Sequence, residues 1–487
     1  MVGAGFGGLG IGAELVREGI TRFLILEEAD DLGGVWRDNT YPGCTCDIPS
    51  HLYSFSFAPY SDSEIRYPDQ QGIQNYLRAT ADSYGLHKHL RLNSCVIAAT
   101  YGDDGRWRLS TSSGEHYTAD SLVWAVGQLH RPYIPAIRGR EVFRGRAFHS
   151  AQWDHTTTTA GRNVAVIGTG SSAVQMVPHL ARDAAKVDVF QRTPAWILPK
   201  PAAEFGPTTR WALRRLPALH RVYRKAIYYG ADFILSPVMT GGWTARPTQW
   251  VANAHLRRSV RDPALRAQLT PGYRIGEKRI LIDNDFYRAL TRSNVRLITD
   301  PITEITTTGI RTDDRTVHPA DVIVFATGFR ASEFLAPIQI RGRDGVLLSQ
   351  QWADGASAYY GLAVPRFPSM WILAGPNSFS ASGSNPTIKE FQNRVIVRGI
   401  RQRMQLGTAI EVSSVAMRSY QQWMDVAMER TVWPSGVSSW YKTDSGKVTN
   451  PWPATNRDFD RMTRHSPDTV FVPVTEVDVD IVRPDAS

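Results

Sequence analysis

The sequence predicts an α/β protein with two Rossmann-like dinucleotide-binding domains, because a short strand, a glycine-rich turn and a helix occur twice in this order. The first turn reads Gly3-Ala4-Gly5-Phe6-Gly7-Gly8, and the second reads Gly168-Thr169-Gly170-Ser171-Ser172-Ala173. In each copy the next strand ends at a charged residue 24 positions after the first glycine, Glu27 or Arg192. Glycines in such turns let backbone N–H groups approach a pyrophosphate at the positive end of the helix.

The opposite charges of these closing residues predict two different nucleotides. A carboxylate such as that of Glu27 accepts hydrogen bonds from ribose hydroxyls, whereas an arginine such as Arg192 pairs with a 2′-phosphate. The first site is therefore expected to hold a dinucleotide with an unmodified ribose, and the second site is expected to hold NADPH. Two such sites on one chain indicate a flavoprotein that is reduced by NADPH.

The composition is typical of a globular protein with two or three domains. Of the 487 residues, 42% are hydrophobic and 21% are charged. No apolar run approaches the about 20 residues of a membrane-spanning helix, and the sequence has no export signal, so we expect a cytoplasmic protein without a membrane span.

The formal charge of +9 comes from scattered residues, 47 arginines and 8 lysines, and therefore does not favour nucleic acid as a partner. The most basic stretch, residues 210–266, mixes arginine with Trp, Tyr and Leu at helical spacing. This pattern favours a solvated helical face over a surface for a membrane or a protein partner.

The three cysteines, Cys44, Cys46 and Cys95, are too few for a disulfide scaffold and fit a reducing compartment. The spacing of Cys44 and Cys46 is not that of a redox pair or of a zinc site. We therefore expect two small residues in a tight loop and no metal site.

The two turns divide the chain into three parts. The expected parts are residues 1–155 for the first part of the FAD-binding domain, 156–329 for the NADP-binding domain, and 330–487 for the return to the FAD domain, its completion and the substrate-side loops. Within the second part, the helical spacing of residues 203–270 indicates an insertion. Hydrophobic runs that end in glycine, at 121–127 and 321–328, predict a buried strand in each domain. Only two residues precede Gly3, where a strand of about five is expected, which favours a start upstream of Met1.

Two longer motifs carry a family resemblance. They read Phe143-x-Gly145-x-x-x-His149-x-x-x-Trp153-Asp154 and Gly34-x-Trp36-x4-Tyr41-Pro42-Gly43-x3-Asp47, and they are accompanied by Gly276-Glu277-Lys278-Arg279 and Ser439-Trp440-Tyr441. Because of these motifs, the chain resembles the type I Baeyer–Villiger monooxygenases over nearly its whole length. These are class B flavoprotein monooxygenases related to the flavin-containing monooxygenases. Asp154 stands where many members have proline, and Val437 lies near a position where relatives often have cysteine.

The resemblance implies FAD and NADPH as cofactors, and dioxygen and a small-molecule ketone as substrates. In this family NADPH reduces FAD, and a C4a-peroxyflavin converts the ketone to an ester or lactone. The implied catalytic residues are Arg279, which supplies positive charge for the peroxide and the later oxyanion, and Asp47, which holds Arg279 in place. The residues alone also allow Arg279 a surface ion pair with Glu277 or Asp283, and allow Asp47 a turn-capping role.

The resemblance also assigns the cofactor-binding residues. The FAD site is expected to use Gly3, Gly5, Phe6, Gly8, Glu27, Gly34, Val35, Trp36, Asp47 and Tyr53, and the NADPH site Gly168, Thr169, Gly170, Ser171, Ser172, Ala173, Arg192, Thr193 and Lys278. Trp440 is expected on a loop that closes over the nicotinamide and keeps water out. His149 is expected to have a hinge or packing role instead of acting as a base.

Three alternatives stay open at this point. A protonated hydroperoxyflavin would oxygenate an amine or a sulfide instead of a ketone. A flavin disulfide reductase is disfavoured because no properly spaced cysteine pair is present. A non-catalytic NADPH-binding flavoprotein is supported only by the short first strand. The identity of the ketone and the oligomeric state are not predicted.

Overall fold

Two parallel sheets, one behind each glycine-rich turn, organise the protein. The structure, a computed structural model, describes residues 1–60, 65–202, 204–466 and 468–474. The helices in these residues are α1 (Phe6–Arg17), α2 (Val35–Asp38), α3 (Gln70–Ser83), α4 (Ser171–Asp183), α5 (Pro207–Arg215), α6 (Pro217–Met239), α7 (Ala245–Ser259), α8 (Pro263–Gln268), α9 (Phe286–Ala289), α10 (Leu348–Gln351), α11 (Asn385–Leu406), α12 (Ser414–Glu429) and α13 (Asn456–Arg464).

The strands are shorter, and in the described residues they are distributed over both parallel sheets and four further sheets. They are β1 (Ile25–Leu26), β2 (Leu90–Arg91), β3 (Val96–Tyr101), β4 (Trp107–Thr111), β5 (His116–Ala119), β6 (Leu122–Trp124), β7 (Arg146–His149), β8 (Asn163–Ile167), β9 (Lys186–Phe190), β10 (Ile197–Leu198), β11 (Leu281–Ile282), β12 (Val295–Ile298), β13 (Ile302–Thr306), β14 (Gly309–Thr312), β15 (Val317–Pro319), β16 (Val322–Phe325), β17 (Gln339–Arg341), β18 (Met370–Ile372), β19 (Ile410–Val412) and β20 (Phe471–Pro473).

The second turn follows the central strand of a five-stranded parallel sheet with the order β12-β9-β8-β16-β7. Its central strands are almost continuously apolar, since a parallel sheet is covered by helices on both faces. Val164, Val166, Val187, Val189 and Val324 accordingly belong to one buried cluster with α4 residues. This sheet is the Rossmann-like unit predicted around Gly168.

The first turn follows a single residue that takes the place of a strand. Val2 bridges Leu26 of β1 on one side and Trp124 of β6 on the other, in parallel orientation. Its neighbours complete the pairing: the N–H of Gly3 donates to Leu26 O at 2.7 Å, and the Met1 amino group donates to Leu24 O at 2.7 Å. β2 pairs with β1, and β18, from the last third of the chain, pairs with β6.

The helices α5 to α8 form a layer beside both nucleotide-binding units. On α6, Arg224 donates through Nη1 to the carbonyl oxygens of His51 at 2.7 Å and Ser54 at 3.0 Å. Further along α6 the buried carboxylate of Asp232 accepts from the backbone N–H of Asn456 at 2.8 Å and from Arg457 Nε at 3.1 Å. The layer is thereby joined to α13, which begins with a Thr455–Asp458 capping box. Within the described residues, no helix is both long enough and apolar enough to cross a bilayer.

Candidate active site

Both glycine-rich turns use their first glycine in the same way. Gly3 has φ +101°, and a Cβ there would lie 2.6 Å from Ala125 O; Gly168 has φ +111°, and a Cβ there would lie 2.5 Å from Ala326 O. Each turn is therefore packed directly against the end of a neighbouring strand, β6 or β16, where no side chain fits. The two strand ends are the glycine-terminated hydrophobic runs of the sequence.

The helix that follows each turn begins at a glycine. Gly5 caps α1 and Gly170 caps α4, both with extended backbone, so neither cap residue has a side chain that could accept from the first N–H groups. A Cβ on Gly170 would meet nothing within 4 Å, so the space in front of α4 is open. Uncovered N–H groups at the positive end of a helix fit a pyrophosphate.

Glu27 lies at the end of β1, beside the first turn. The N–H of Ala4 donates to its Oε2 at 2.7 Å, and Arg37 Nη1 donates to its Oε1 at 2.8 Å. The carboxylate is thus fixed between the turn and α2. Oε1 also accepts from the N–H of Ala29 at 3.2 Å, so Oε2 is the oxygen with a further lone pair for a ribose hydroxyl.

Arg192 and Lys278 form a cationic pair near the second turn. Arg192 follows β9 and is exposed, and Lys278 Nζ lies 5.2 Å from the centre of the Tyr273 ring. Burial and then the charge of Arg192 lower the pKa of Lys278. In the part of the chain that the structure describes, no carboxylate lies within 4.0 Å of either cation. Two cations without a carboxylate fit a dianionic phosphate.

Thr193 and Thr169 join the same site through the backbone, since Thr169 Oγ1 donates to Thr193 O at 3.2 Å. Ser171, Ser172 and Ala173 form the first turn of α4. The residues predicted for the NADPH site therefore surround one helix N-terminus.

Arg279 and Asp47 come from different parts of the chain and form an ion pair. Arg279 Nη2 donates to Asp47 Oδ2 at 2.6 Å, and both side chains are partly buried. Burial alone would raise the pKa of Asp47, but the charge and hydrogen bond of Arg279 hold it below its usual value. The negative charge of Asp47 in turn raises the pKa of Arg279. Arg279 is paired with Asp47 and not with Glu277 or Asp283.

Aromatic residues surround the guanidinium group. Arg279 Cζ lies 5.7 Å from the centre of the Phe379 ring, which contacts Trp440 at 5.0 Å between ring centres and Tyr441 at 5.9 Å. Burial raises the pKa of Tyr441 to about 12, so its hydroxyl stays protonated. Trp433 Nε1 donates to Gly276 O at 3.0 Å and so holds the segment that carries Lys278 and Arg279.

Three of the residues predicted for the flavin side contact one another. Gly34 has φ +56° and caps α2, which begins at Val35, and Trp36 Nε1 donates to the Tyr53 hydroxyl at 3.0 Å. Phe6 packs edge-on against Tyr53 at 5.1 Å. Phe6, Trp36 and Tyr53 thus form one aromatic group beside the first turn.

His149 is buried and has a structural partner at each ring nitrogen. Its Nε2 lies 2.9 Å from Gly328 O, and its Nδ1 accepts from the N–H of Ala151 at 3.1 Å. Burial lowers its pKa. The ring therefore joins β7 to the turn after β16.

The cysteines are free, and Cys44 and Cys46 are buried. Burial raises the pKa of the Cys44 thiol to about 11 and that of Cys46 further. Thiols of this kind are poor nucleophiles at neutral pH. Among the described residues, no group of three His, Cys, Asp or Glu side chains could hold a metal ion.

Sequence reasoning missed three residues that hold the predicted ones in place. Arg37 pairs with Glu27, and its position directly after Trp36 was the only signal available. Gln175 of α4 accepts from the Tyr41 hydroxyl at 2.9 Å and donates to Thr45 O at 2.9 Å. Lys200 donates to Cys46 O at 3.3 Å, directly before Asp47. No spacing in the sequence indicates the last two contacts.

Known proteins resemble this chain over almost its full length. A protein named Baeyer-Villiger monooxygenase from Streptomyces coelicolor is 39% identical over 473 residues, which cover 95% of this chain and 90% of that protein. The crystal structure of cyclohexanone monooxygenase from Rhodococcus sp. Phi1 bound to NADP+ superposes with a TM-score of 0.84 at 28% identity, covering 95% of this chain and 96% of that one. The OTEMO complex with FAD and NADP superposes with a TM-score of 0.85 at 26% identity and the same coverage.

The sequence profile of the family described as pyridine nucleotide-disulphide oxidoreductase matches residues 1–226. The matched residues include both glycine-rich turns. One residue separates the two buried cysteines, Cys44 and Cys46. In a C-x-x-C redox pair, two residues separate the cysteines.

Proposed function

The chain belongs to the Baeyer–Villiger monooxygenases, and on this premise we propose that Arg279, held by Asp47, stabilises the negative charge that develops when oxygen is inserted into a ketone. The enzyme is an NADPH-dependent FAD monooxygenase, and the prediction of two dinucleotide-binding domains is confirmed by its relatives. The overall reaction consumes the ketone, dioxygen, NADPH and a proton, and yields an ester or lactone, NADP+ and water.

The observation that supports the proposal is the 2.6 Å ion pair between Arg279 and Asp47, which lie 232 positions apart in the chain. A guanidinium stays protonated at every physiological pH and has several donors in one plane. Asp47 occupies only one edge of it, so the remaining donors are free to face developing negative charge. Because Asp47 is ionised, it fixes the orientation of Arg279 without donating a proton.

The two cofactors fit the residues present. FAD would be held by the uncovered N-terminus of α1, by Glu27 at its ribose and by the group of Phe6, Trp36 and Tyr53. NADPH would be held by the N-terminus of α4, with Arg192 and Lys278 at its 2′-phosphate and Thr193 beside it. When bound, reduced FAD would supply the electrons that the reaction needs. One oxygen atom of dioxygen then enters the ester and the other leaves as water.

Exclusion of water is the other task of the chain's residues at this site. Phe379, Trp440 and Tyr441 surround Arg279 with apolar surface, which strengthens its interaction with a negative charge. We propose that Trp440 closes over the bound nicotinamide. The ketone reaction is favoured over oxygenation of an amine or sulfide because a fixed cation at this point serves a negatively charged nucleophile and oxyanion.

The test compares Arg279→Ala with Arg274→Ala, an exposed arginine five residues earlier on the same segment. We expect Arg279→Ala to retain FAD and its reduction by NADPH but to release hydrogen peroxide in place of ester, whereas Arg274→Ala should behave like the wild type. The measurements are stopped-flow absorbance of the flavin under NADPH, followed by product analysis with a panel of ketones in oxygenated buffer. Ester formation by Arg279→Ala at the wild-type rate would show that Arg279 does not stabilise the developing negative charge. If the wild type oxygenates an added amine or sulfide and forms no ester from any ketone, the ketone reaction is wrong and the amine or sulfide reaction is the enzyme's activity.

A further inference from the structure

The layer of helices α5 to α8 exposes an unusually apolar outer surface. We call it the insertion surface and define it by Val222, Tyr229 and Phe233 of α6, Trp243 before α7, and Trp250 on α7. Phe233 is 60% exposed, Trp243 64% and Trp250 70%. Single exposed hydrophobic residues are ordinary, but several large ones on one surface mark an interaction site.

The spacing and the contacts make these residues one surface. On α6, Val222, Tyr229 and Phe233 follow one another by seven and four residues, which places them along one face of the helix. The rings of Phe233 and Trp243 lie 5.2 Å apart and connect that face to the start of α7. Trp250 continues along α7, four residues after Arg246, and both are exposed.

The charges around the insertion surface are mostly positive, and the exposed carboxylates of Glu204 and Asp262 lie at the two ends of the stretch. Between residues 205 and 261 the sequence contains ten arginines and lysines and a single carboxylate, Asp232. Asp232 is buried and accepts hydrogen bonds from Asn456 and Arg457, so it does not offset positive charge at the surface. The exposed cations are interleaved with the apolar residues, with Arg221 and Lys225 on α6 and Arg246, Arg257 and Arg258 on α7.

We propose that the insertion surface binds peripherally to a bilayer that contains anionic phospholipid. Tryptophan and tyrosine side chains favour the level of the headgroups, where the ring is apolar and its N–H or O–H stays hydrated. Arginine and lysine side chains reach from the same depth to the phosphates. A face with aromatic residues and an excess of exposed cations therefore matches an anionic lipid surface in both polarity and charge.

A second copy of the chain matches the insertion surface less well. Symmetric dimers place the same patch on both subunits, so the excess of cations on one copy would face the same excess on the other. An anionic lipid surface supplies the missing charge and also covers the apolar side chains.

A cavity of about 230 Å³ opens at the insertion surface. Phe233 and Trp243 line it together with Met239 and Ala381, which pack in the same apolar cluster as Phe379 and Tyr441 beside Arg279. Lipid binding would place this opening against the bilayer, where an apolar ketone would be concentrated. This consequence for the substrate rests on the proposed function, whereas binding to lipid does not.

The experiment is co-sedimentation of the FAD-loaded protein with vesicles of phosphatidylcholine containing about one third phosphatidylglycerol, compared with pure phosphatidylcholine. We expect binding to the mixed vesicles that falls with increasing salt, and at least about fivefold weaker binding to pure phosphatidylcholine. The double variants Trp243→Ser/Trp250→Ser and Arg221→Gln/Lys225→Gln should each weaken binding about tenfold. Matched controls on other surfaces are Val415→Ser/Val426→Ser for the apolar change and Lys88→Gln/Arg162→Gln for the charge change.

FAD content and melting temperature verify that each variant is folded, and neither depends on turnover of a ketone. Equal binding to both kinds of vesicle, no binding to either, or equal losses in the control variants would overturn the proposal. A dimer that dissociates on Trp243→Ser/Trp250→Ser, without vesicle binding, would identify a second copy as the occupant. A failure of ester formation with intact vesicle binding would count against the proposed function alone.

Discussion

The ammonium group of Lys200 lies 3.3 Å from the carbonyl oxygen of Cys46, the residue directly before Asp47. Lys200 follows β10 in the second nucleotide-binding unit, whereas the Asp47 loop belongs to the first. The same ammonium lies 3.3 Å from Thr45 Oγ1 and 4.7 Å from the centre of the Tyr67 ring. Burial would raise the pKa of Asp47, and the charges of Arg279 and then Lys200 lower it. Lys200 therefore holds the backbone next to Asp47 and adds to the effect of Arg279 on its pKa.

Replacing Lys200 by methionine should release the Asp47 loop while keeping the length of the side chain. We expect about a tenfold lower ratio of ester to hydrogen peroxide, because the lost charge-assisted hydrogen bonds no longer hold Asp47 against Arg279. The measurement is the yield of both products for each NADPH consumed. Lys200→Arg keeps the charge and should retain most of the wild-type ratio. Equal ratios in all three proteins would show that Lys200 has no role in positioning Asp47.

Replacing Arg192 by glutamine should lower the preference for NADPH. Each charge-assisted contact to the 2′-phosphate contributes on the order of 1.5–3 kcal/mol, so KM for NADPH should rise about 10- to 100-fold. NADH has no 2′-phosphate, so its KM should stay within about twofold of the wild-type value. Steady-state kinetics with both nucleotides check this expectation, and Lys278→Gln should act in the same direction. A similar rise for both nucleotides would place Arg192 elsewhere.

Two glycines of the second turn should respond differently to alanine. At Gly168 the φ is +111° and a Cβ would lie 2.5 Å from Ala326 O, so Gly168→Ala should lower the free energy of unfolding by at least about 1–3 kcal/mol. At Gly170 a Cβ meets no atom within 4 Å, so Gly170→Ala should leave the stability within about 0.5 kcal/mol.

NADPH affinity separates the two effects further. The Cβ of Gly170→Ala would enter the open space in front of α4, so this variant should bind NADPH more weakly although it is as stable as the wild type. Thermal unfolding and titration of NADPH into the oxidised protein measure both quantities. Equal stabilities of the two variants would contradict the packing of Gly168 against β16.

The stability should fall between pH 6.5 and pH 4 because of His51. Burial, followed by the charges of His220, Arg224 and Arg66, lowers the pKa of His51 from 6.5 to about 4. Above pH 6.5 the side chain is neutral in both the folded and the unfolded chain. As the pH falls below 6.5 the unfolded chain binds a proton that the folded chain does not bind until about pH 4, so the free energy of unfolding decreases.

His51→Phe removes this titration and keeps an aromatic ring against His220, whose ring centre lies 4.8 Å away. Melting temperatures at pH 7 and pH 5 should therefore differ less for His51→Phe than for the wild type. His130 and His149 also have lowered pKa values, so part of the pH dependence should persist in the variant. An unchanged difference in melting temperature would show that His51 is already solvated in the folded protein.

The fold and the nucleotide turns could be predicted from the sequence because their requirements are local. Gly3 and Gly168 must approach a strand end, and only glycine adopts the backbone conformation that this approach requires. In the structure, Val2 bridges both β1 and β6 in front of the first turn. The family resemblance, now confirmed, added Arg279 and Asp47, whose contact spans 232 positions.

The contacts that brace the site could not be predicted in this way. Lys200 reaches Cys46 across 154 positions, and Trp433 reaches Gly276 across 157. Such contacts depend on how the domains pack, and neither residue lies in a periodic pattern or a motif. The arginine-rich stretch 210–266 shows a further limit, because helical spacing indicates a helix but not which of its faces is left exposed.

The hydrogen bonds between Asp232 and α13 bear on whether the helices α5 to α8 can be exchanged between related proteins. Its carboxylate accepts from the first N–H groups of α13, at Asn456 and Arg457, so deleting α5 to α8 would remove this acceptor from the start of the helix. The helical layer and α13 are therefore joined through Asp232. A chimera that takes the helical layer from a relative should therefore also take that relative's α13, so that the carboxylate and its hydrogen-bond donors come from the same protein.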